Sequence, residues 1–565
     1  MGPGKLAKRE SVLLGTTAGA ALLLRLLLVF RYRFDSDEPQ HMHVAWGWAH
    51  GLMQYRDVFD NHMPLFHLLS APLFRVAGED VDVLFFARLW VLPLFFASIV
   101  LTFVIAERLF DRRIALWATT FAALLPPFYL GMLEYRTDDL WVVFWLACVA
   151  IFLSDLEPLA RSMASGACLG LAFAVSMKSV MFVVAIVVAG ATTWLLTRHR
   201  FPAPAPREIA SRLGAFAAVA AIAPVAIAMF FAMAGAWKQF VYCVFEHNRS
   251  APFDQWWRVL WAIPLTPLVV TIADRYANAD GDRLHVQRRL FVFLIAAVYF
   301  VVLIAFWPVL SLESYLPFYP LAAILVTPFV VEMTTAVRRP VTAIVAIVLL
   351  VTTAIEARVW RDEAHDEVAL LRQVLAITRP NDEVMDLKGE SLFRRRPYWY
   401  VLESITHRKM RHHMLRDDIA AALVRTGTAV LASSDFPIKT KVFVRHNYVR
   451  WGRLWVVGQR LRAVAMPGSV VPFRIGVPSR YIVVDRSGRV DAAIDGIPVK
   501  DGVELTPGWH RLTVRRDVTR PLIVWAGVTR ASNFMARLRE MEDRLDRRGQ
   551  RRRVAEGDRD DDALN

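Results

Sequence analysis

The chain has 565 residues, of which 56% are hydrophobic and 21% are charged. Its mean hydropathy of +0.36 lies outside the range usual for water-soluble globular proteins, so that class is excluded. The net charge of +15 does not indicate nucleic-acid binding, because membrane proteins carry excess Lys and Arg in their cytoplasmic loops. The three cysteines, Cys148, Cys168 and Cys243, show neither a disulfide framework nor a zinc spacing.

Apolar runs long enough to cross a bilayer recur up to about residue 358, and about eleven membrane spans are predicted. The first follows Lys5, Lys8 and Arg9 but lacks a small-residue cleavage site, so we expect an uncleaved anchor instead of a signal peptide. The predicted spans lie near residues 11–30, 84–106, 114–132, 140–154, 163–177, 179–197, 213–234, 258–274, 290–308, 315–337 and 340–358.

The connections between these runs differ in charge, which predicts the side of the membrane on which each lies. The basic connections are assigned to the cytoplasm, which places the other connections and everything after Arg358 outside. The C-terminal part is therefore predicted to be extracytoplasmic, on a multi-pass protein of the inner (plasma) membrane. This placement depends on counting 163–177 and 179–197 as two spans. The basic connections are 108–113, 197–212, 274–289 and 338–339.

The chain divides by composition into a membrane domain, residues 1–358, and a more polar C-terminal part. Within the first, the outer loop 31–82 has apolar residues at helical spacing, and we expect two helices, near 43–53 and 64–76, in the membrane–water interface. In the second, short β-branched segments bounded by turn residues predict a soluble α+β domain ending in a small β-sandwich. Its predicted parts are a mixed region 359–465, the sandwich 466–530, and a charged helix and disordered tail 531–565.

Acidic and imidazole groups cluster in FDSDEPQHMH, directly after the first span. One carboxylate, Asp35, is expected to cap the following helix, which leaves Asp37 and Glu38. Ionisable groups at membrane depth are functional by default, and a partly desolvated carboxylate suits a general base. A second hypothesis is a metal site formed by Asp37, Glu38 and His41. His43 is two residues from His41, so both cannot face one ion on a regular helix.

A second charged group lies on the same predicted side, between two spans. It contains Glu134, Arg136, Asp138 and Asp139, and Arg136 has the fork geometry that suits a phosphate. An equally open alternative is a short solvated loop with ion pairs among its own residues. Lys178 lies inside an apolar stretch, where it either extends outward or meets an anion. Arg88 and Arg25 are interpreted more simply, as span residues whose side chains extend toward the membrane surface.

Several short motifs follow one another in order between about residues 10 and 360. They are Asp37-Glu38, Tyr55-Arg56-Asp57, Pro64-Leu65-Phe66, Ala87-Arg88, Glu134-x-Arg136-x-Asp138, Lys178, and YLPFYPLAAIL from Tyr315. This order resembles the GT-C glycosyltransferases. The nearest branch contains the dolichyl-phosphate-mannose protein mannosyltransferases and the bacterial aminoarabinose lipid A transferases, glycosyltransferase families 39 and 83.

The resemblance implies a GT-C fold and inverting transfer of a sugar from a polyprenyl-phosphate donor to a glycan, lipid or protein on the periplasmic face. Asp37 or Glu38 would be the base, and no cofactor would be required, although a divalent metal is compatible. Donor-phosphate binding is implied for Arg136 and Lys178 and, more weakly, for Arg56 and Arg88. Substrate orientation is implied for Asp138, Tyr55, His62 and Tyr315.

The chain departs from that family at two positions. Many relatives have a lysine before the Pro-Leu segment, where this chain has His62 and Met63, and many have an arginine near Tyr315, where it has Glu313 and Ser314. Fewer fixed cations imply altered donor-phosphate binding, a different substrate or reduced activity. Separately, two further hypotheses stay open, the first of them because Lys178, Arg25 and Arg88 could line a path through the membrane. One is a transporter or flippase for a lipid-linked anion; the other is an inactive relative whose role is binding.

Overall fold

A computed structural model describes residues 8–201, 205–249, 256–278, 282–307, 310–337, 340–461, 464–541 and 543. The chain divides into two compact units, Met1–His365 and Asp366–Asn565. Most of the predicted charged tail, residues 542 and 544–565, lies outside the described residues, as do 250–255 of the outer connection 235–257 and the predicted basic connection 338–339.

The described part of the first unit is mainly helical, with one isolated bridge between Gln54 and Val58 in the loop before α3. A π-helical turn, Tyr242–Glu246, and three 3-10 helices, Met177–Ser179, Trp256–Leu265 and Leu312–Tyr315, interrupt the α-helices. The α-helices are α1 (Lys8–Arg31), α2 (Asp37–Ala49), α3 (Leu65–Ala77), α4 (Val83–Leu109), α5 (Arg112–Leu124), α6 (Pro126–Gly131), α7 (Thr137–Phe152), α8 (Pro158–Val175), α9 (Val180–Thr197), α10 (Pro206–Met233), α11 (Trp237–Val241), α12 (His247–Arg249), α13 (Thr266–Ala277), α14 (Arg283–Phe306), α15 (Phe318–Val337) and α16 (Val341–Glu356).

Seven segments of the described chain are long and apolar enough to cross a membrane, fewer than the eleven or so predicted. The predicted span 114–132 is divided between α5 and α6 at Leu125, because Pro126 begins a new helix. The predicted spans 140–154 and 340–358 correspond to α7 and α16, which are 16 residues long. The seven segments are Lys8–Arg31, Val83–Leu109, Pro158–Val175, Met177–Thr197, Pro206–Met233, Arg283–Phe306 and Phe318–Val337.

The loop between α1 and α4 contains the two expected helices, α2 and α3, but α2 does not have the exposed apolar face of an interfacial helix. Residues 38–47 of α2 are all buried, including the polar Gln40 and His41. These polar groups find partners inside the loop, as in the contact between Gln40 and Asp60. We therefore describe α2 as a core helix of the membrane unit.

Two glycines allow α8 and α10 to pack at backbone contact distance. A Cβ atom on Gly166 would lie 2.4 Å from the carbonyl oxygen of Phe216, and one on Gly170 would lie 2.6 Å from that of Ala220. The two glycines are four residues apart, the GxxxG spacing by which small residues let membrane helices approach closely. No other residue type fits here unless the helices separate.

Gly170→Ala is therefore expected to destabilise the protein by about 1–3 kcal/mol, the usual cost of overpacking. The measurement is the midpoint of thermal unfolding of the purified protein in detergent. Gly214→Ala is the matched control, because Gly214 lies in α10 with no atom within 4 Å of the added Cβ. Equal midpoints for the two variants would contradict the tight packing of α8 on α10.

The second unit combines α17 (His365–Ile377), α18 (Ser404–Arg411), α19 (Ile419–Thr426) and α20 (Ile438–Asn447) with fourteen strands. The strands are β1 (Val384–Met385), β2 (Val430–Leu431), β3 (Tyr448–Trp451), β4 (Leu454–Arg460), β5 (Val464–Ala465), β6 (Val471–Ile475), β7 (Ser479–Asp485), β8 (Gly488–Arg489), β9 (Ala492–Ile494), β10 (Ile497–Pro498), β11 (Val503–Leu505), β12 (Gly508–Val514), β13 (Val518–Thr519) and β14 (Leu522–Trp525).

The strands form an eight-stranded sheet whose main order is β1-β2-β4-β14-β7-β11, a four-stranded sheet β10-β9-β12-β6, and a β13-β5 pair. Side chains of both larger sheets, such as Ile482 and Leu512, belong to one hydrophobic core. This arrangement agrees with the predicted α+β domain. The larger sheet takes strands from both sides of residue 465, so the division predicted there falls inside one folded unit.

Candidate active site

The sequence between α1 and α2 folds into a reciprocal cap that fixes the acidic residues. Asp35 lies one residue before the N-cap, Ser36, and its Oδ1 accepts the backbone N–H of Asp37 at 3.0 Å. Glu38 Oε1 accepts the N–H of Asp35 at 3.0 Å in return. An acid followed three residues later by Glu is the pattern of a capping box. The cap holds Asp37 and Glu38 in the first turn of α2.

Glu38 forms a buried ion pair with Arg88 of α4. Arg88 Nη2 and Nε lie 2.6 and 2.9 Å from the two carboxylate oxygens, and both side chains are fully buried. Arg88 also donates to the carbonyls of Val29, Tyr32 and Arg33, and Glu38 accepts the N–H of Tyr135. Every polar atom of the pair has a protein partner, so neither group is open to a substrate. The interpretation of Arg88 as a residue extending toward the surface is wrong.

Arg136 lies at the centre of the acidic group, immediately before α7. Its guanidinium contacts Asp35 at 2.9 Å, Asp37 at 3.0 Å, Asp138 at 3.6 Å and Glu134 at 3.7 Å. Burial by itself lowers the pKa of Arg136, but the surrounding carboxylates more than offset this and hold its pKa well above the ordinary value. The two acidic groups that the sequence places about 100 residues apart thus meet around one cation.

Lys178 joins this group from the break between α8 and α9. Its Nζ lies 2.7 Å from Asp138 Oδ1, and its side chain is 12% exposed. The break is stabilised by Ser176, whose hydroxyl accepts the N–H of Lys178, and by Ser179, which accepts the indole N–H of Trp141. Lys178 therefore meets an anion, one of the two alternatives that the sequence left open.

Two further acidic residues, Glu134 and Glu313, lie near Arg136. Burial raises the pKa of Glu134 well above its ordinary value, although Arg136 opposes the shift. Glu313, in the 3-10 helix before α15, is near enough to interact electrostatically with both Glu134 and Arg136. The sequence identified Glu313 as a departure from the family but did not place it at the site.

Three other predicted site residues contact groups other than Arg136. Arg56 is about half exposed and pairs with the adjacent Asp57. Tyr55 is buried with a φ of 72°, and its hydroxyl donates to the carbonyl of His62. Tyr315 is partly buried and its ring lies near that of Tyr319. Tyr55 thus positions His62.

The metal set predicted from Asp37, Glu38 and His41 does not form, since the carboxylates face Arg136 and Arg88. Within the described ranges, the group with metal-ligand proximity is instead His41, Asp60 and His62. Sequence reasoning missed Asp60, and it missed His67, which contacts His41 at 3.0 Å. The Asp60-x-His62 spacing was the available signal.

Arg25 does not extend to the membrane surface, which corrects the sequence interpretation. It is buried, donates to the carbonyls of Tyr129 and Met132, and stacks on the ring of Phe95 at 3.6 Å. The broken helix between α5 and α7 supplies those carbonyls. Arg25 therefore joins α1 to α6, and it is also near enough to Asp139 to interact with that carboxylate electrostatically.

The fold and the family comparison define the class of protein. The model of the dolichyl-phosphate-mannose-protein mannosyltransferase family matches residues 61–237. ArnT from Cupriavidus metallidurans, bound to undecaprenyl phosphate, is similar in structure with a TM-score of 0.56 and 13% identity, over 80% of this chain and 98% of that one. The chain is a multi-pass membrane protein with the GT-C fold, so the predicted resemblance is confirmed.

Two further solved structures are similar. The apo state of the same ArnT gives a TM-score of 0.55 at 14% identity, over 80% of this chain and 98% of that one. The apo oligosaccharyltransferase of Archaeoglobus fulgidus gives 0.41 at 10% identity, over 74% of this chain and 69% of that one. No curated protein sequence matches the chain at a significant level.

Proposed function

We propose that the protein is an inverting glycosyltransferase that moves a sugar from a polyprenyl-phosphate donor to a glycan, lipid or protein acceptor. The observation that carries the proposal is the contact network Asp37–Arg136–Asp138–Lys178. The network brings the Asp37 carboxylate, which retains solvent exposure, close to the cations Arg136 and Lys178. These residues come from the start of α2, the segment before α7 and the break between α8 and α9. Such a site suits an acid–base reaction on a phosphate-linked substrate.

Asp37 is the proposed base. Its side chain is 28% exposed, whereas the Glu38 carboxylate is fully buried against Arg88. A general base must reach the proton that it abstracts, so accessibility separates two adjacent acids that the sequence could not separate. Glu38 and Arg88 are assigned a structural role in this proposal.

Arg136 and Lys178 are the proposed ligands of the donor phosphate. Both are paired with carboxylates in the structure, Arg136 with Asp37 and Lys178 with Asp138. A phosphate at Arg136 would compete with Asp37 for the guanidinium and release that carboxylate for the acceptor. Donor binding would thereby activate the base only when the substrate is present, while Asp138 keeps both cations in position.

The proposed reaction is a single displacement. The acceptor hydroxyl loses its proton to the Asp37 carboxylate, and its oxygen forms the bond to the anomeric carbon from the face opposite the phosphate. The bond between the anomeric carbon and the phosphate oxygen breaks, and its electron pair leaves with the polyprenyl phosphate. Arg136 and Lys178 stabilise the negative charge that develops on this leaving group.

The proposal places the reaction on the extracytoplasmic face of the inner membrane. The supporting argument is the distribution of Lys and Arg in the connections, which assigns the loop after α1 to the outer side. The C-terminal unit is proposed to lie on that side too, where it would meet a glycan, lipid or protein acceptor.

Purified protein supplied with polyprenyl-phosphate sugars tests the function directly. The readout is free polyprenyl phosphate, formed in the presence of acceptor lipid or glycan extracts and quantified by mass spectrometry. Release of the lipid phosphate that requires the protein supports transfer. Donor binding without release, for every common sugar, would favour the hypothesis of an inactive binding protein.

The transporter hypothesis makes a different prediction for the same preparation. Protein in sealed vesicles would move a labelled polyprenyl-phosphate sugar between leaflets and leave its sugar–phosphate bond intact. The structure offers less support for this reading, because Arg25 is bound to backbone carbonyls and Arg88 to Glu38.

Lys178→Met is expected to reduce kcat/KM for the donor about 10- to 100-fold, the loss of one charge-assisted hydrogen bond to the phosphate. Lys178→Arg should recover part of this activity, because it keeps the charge. Lys238→Met is the matched control, since Lys238 is exposed at the start of α11. An equal loss of activity in the Lys238 variant, or no loss in the Lys178 variant, would contradict the proposed role of Lys178 in donor binding.

A further inference from the structure

A second group of ionisable side chains converges beside the candidate active site. His41 comes from α2, Asp60 and His62 from the segment before α3, and His67 from the first turn of α3. His41, Asp60 and His67 are buried, and the His62 side chain is 21% exposed. One ligand atom each of His41, Asp60 and His62 lies within 4.8 Å of the others. The proposed glycosyl transfer uses none of these groups.

The contacts of this group favour one pair of tautomers for its two buried histidines. His67 Nδ1 forms no hydrogen bond within the described residues, but it lies 3.5 Å from Asp60 Oδ2, and we place its proton on Nδ1, toward the carboxylate. His67 Nε2 then accepts the Nδ1 proton of His41 across 3.0 Å. This leaves Nε2 of His41 with a lone pair. That atom is buried and has no hydrogen-bond partner.

A buried acceptor without a partner is unfavourable, so the lone pair of His41 calls for a hydrogen-bond donor or a metal ion. A cation satisfies this requirement. The arrangement also matches the environment of metal-bound histidine, whose second ring nitrogen donates to another group and thereby orients the ring. Here His67 accepts from His41 and approaches Asp60 in turn.

The carboxylate is oriented by its own partners. Gln54 donates to Asp60 Oδ2 at 2.7 Å, and Gln40 donates to Oδ1 at 3.3 Å. His62 Nδ1 lies 2.9 Å from Oδ1. Tyr55 and Gln54 bind the backbone carbonyl of His62 and hold that residue beside Asp60. The ligand atoms are thus presented by a rigid set of hydrogen bonds.

We propose that His41, Asp60 and His62 bind a Zn²⁺ ion. Two imidazole nitrogens and one carboxylate oxygen form a ligand set that Zn²⁺ prefers, whereas Mg²⁺ and Ca²⁺ prefer oxygen alone. Three protein ligands leave a fourth position for water or a substrate oxygen. This set differs from the one suggested by the sequence, since Asp60 and His62 replace Asp37 and Glu38.

The ion would connect α2 to the segment before α3 and so fix the geometry of the loop that carries Asp37. His41 is close enough to Arg136 and Lys178 to interact with them electrostatically. The zinc site and the candidate active site are therefore neighbours within one loop. Metal binding itself does not depend on the proposed glycosyl transfer.

The test measures metal in the full-length protein, purified in detergent through an affinity tag that contains no histidine. The protein is stripped with a chelator, equilibrated with micromolar Zn²⁺, desalted, and analysed for zinc per chain by mass spectrometry. Wild type is expected to retain about one zinc per chain. Co²⁺ in place of Zn²⁺ should give the visible absorption bands of a tetrahedral site.

The variants are His41→Gln, which removes the unpartnered nitrogen, and His62→Gln at the exposed edge, which keeps the assay informative if the first variant fails to fold. Both are expected to lose the zinc. His50→Gln is the matched control and should retain it, since His50 is exposed at the end of α2. Zinc-free wild type, or folded His41→Gln and His62→Gln variants that keep full zinc, would overturn the proposal.

The zinc measurement and the transfer assay test separate proposals, so a negative result in one does not decide the other. Wild type that binds zinc but releases no polyprenyl phosphate would refute the proposed function and retain the metal site. Wild type that transfers sugar at full rate and binds no zinc would refute the metal site alone.

Discussion

Asp37→Asn is expected to lower turnover about 10²- to 10⁴-fold, the usual contribution of a general base, while the protein remains folded. Asparagine keeps the shape of the side chain but cannot accept the acceptor proton. Arg136 loses one carboxylate but retains its contacts with Asp35, Glu134 and Asp138, so the site should stay assembled. The measurement is the rate of polyprenyl phosphate release at saturating donor.

Asp82→Asn controls for the loss of a negative charge in the same loop, because Asp82 is exposed at the start of α4 without a side-chain capping bond. It should leave turnover and the unfolding midpoint unchanged. Full turnover in Asp37→Asn would show that another group accepts the proton. A lower unfolding midpoint together with lost turnover would instead assign Asp37 a structural role beside Arg136.

Glu38→Ala is expected to destabilise the protein by about 3–5 kcal/mol, because it leaves the Arg88 guanidinium buried without its counter-ion. Both side chains are fully buried, so water cannot replace the missing carboxylate. The variant also removes the acceptor of the Tyr135 N–H and half of the cap on α2. The unfolding midpoint in detergent should fall sharply, and activity should be lost with the fold.

The double variant Glu38→Met with Arg88→Met separates structure from catalysis. Replacing both partners of a buried ion pair with apolar groups of similar size costs far less than removing one partner. The double variant is therefore expected to unfold at a higher temperature than Glu38→Ala and to recover measurable turnover. A stable double variant without turnover would indicate that Glu38 or Arg88 takes part in catalysis.

The order of short motifs assigned Asp37, Arg136, Asp138 and Lys178 to one site, and these four residues form one contact network in the structure. Their roles in binding and catalysis remain predictions. The sequence could not show which of Asp37 and Glu38 is the base. The two carboxylates differ in accessibility only because Arg88 of α4 pairs with Glu38 and buries it. Asp60 could not be identified from the sequence for a similar reason, since its partners come from three different parts of the loop.

The number of spans was harder to predict than the class of fold. Apolar composition identifies segments that belong to a membrane domain, but it does not show where a helix stops. Pro126 divides one predicted span into α5 and α6, and the buried carbonyl of Tyr129 in α6 then accepts a hydrogen bond from Arg25. A window average over 114–132 does not register that break.

The contact of Arg25 with the carbonyl of Tyr129 has a consequence for the order in which the membrane unit is assembled. The two residues are 104 positions apart. At about 5–20 residues per second, the acceptor leaves the ribosome roughly 5–20 s after the arginine. During that interval the Arg25 guanidinium lacks this carbonyl partner, and an ionised group within a membrane span is costly. The contact between α1 and α6 therefore forms only after α6 has been made.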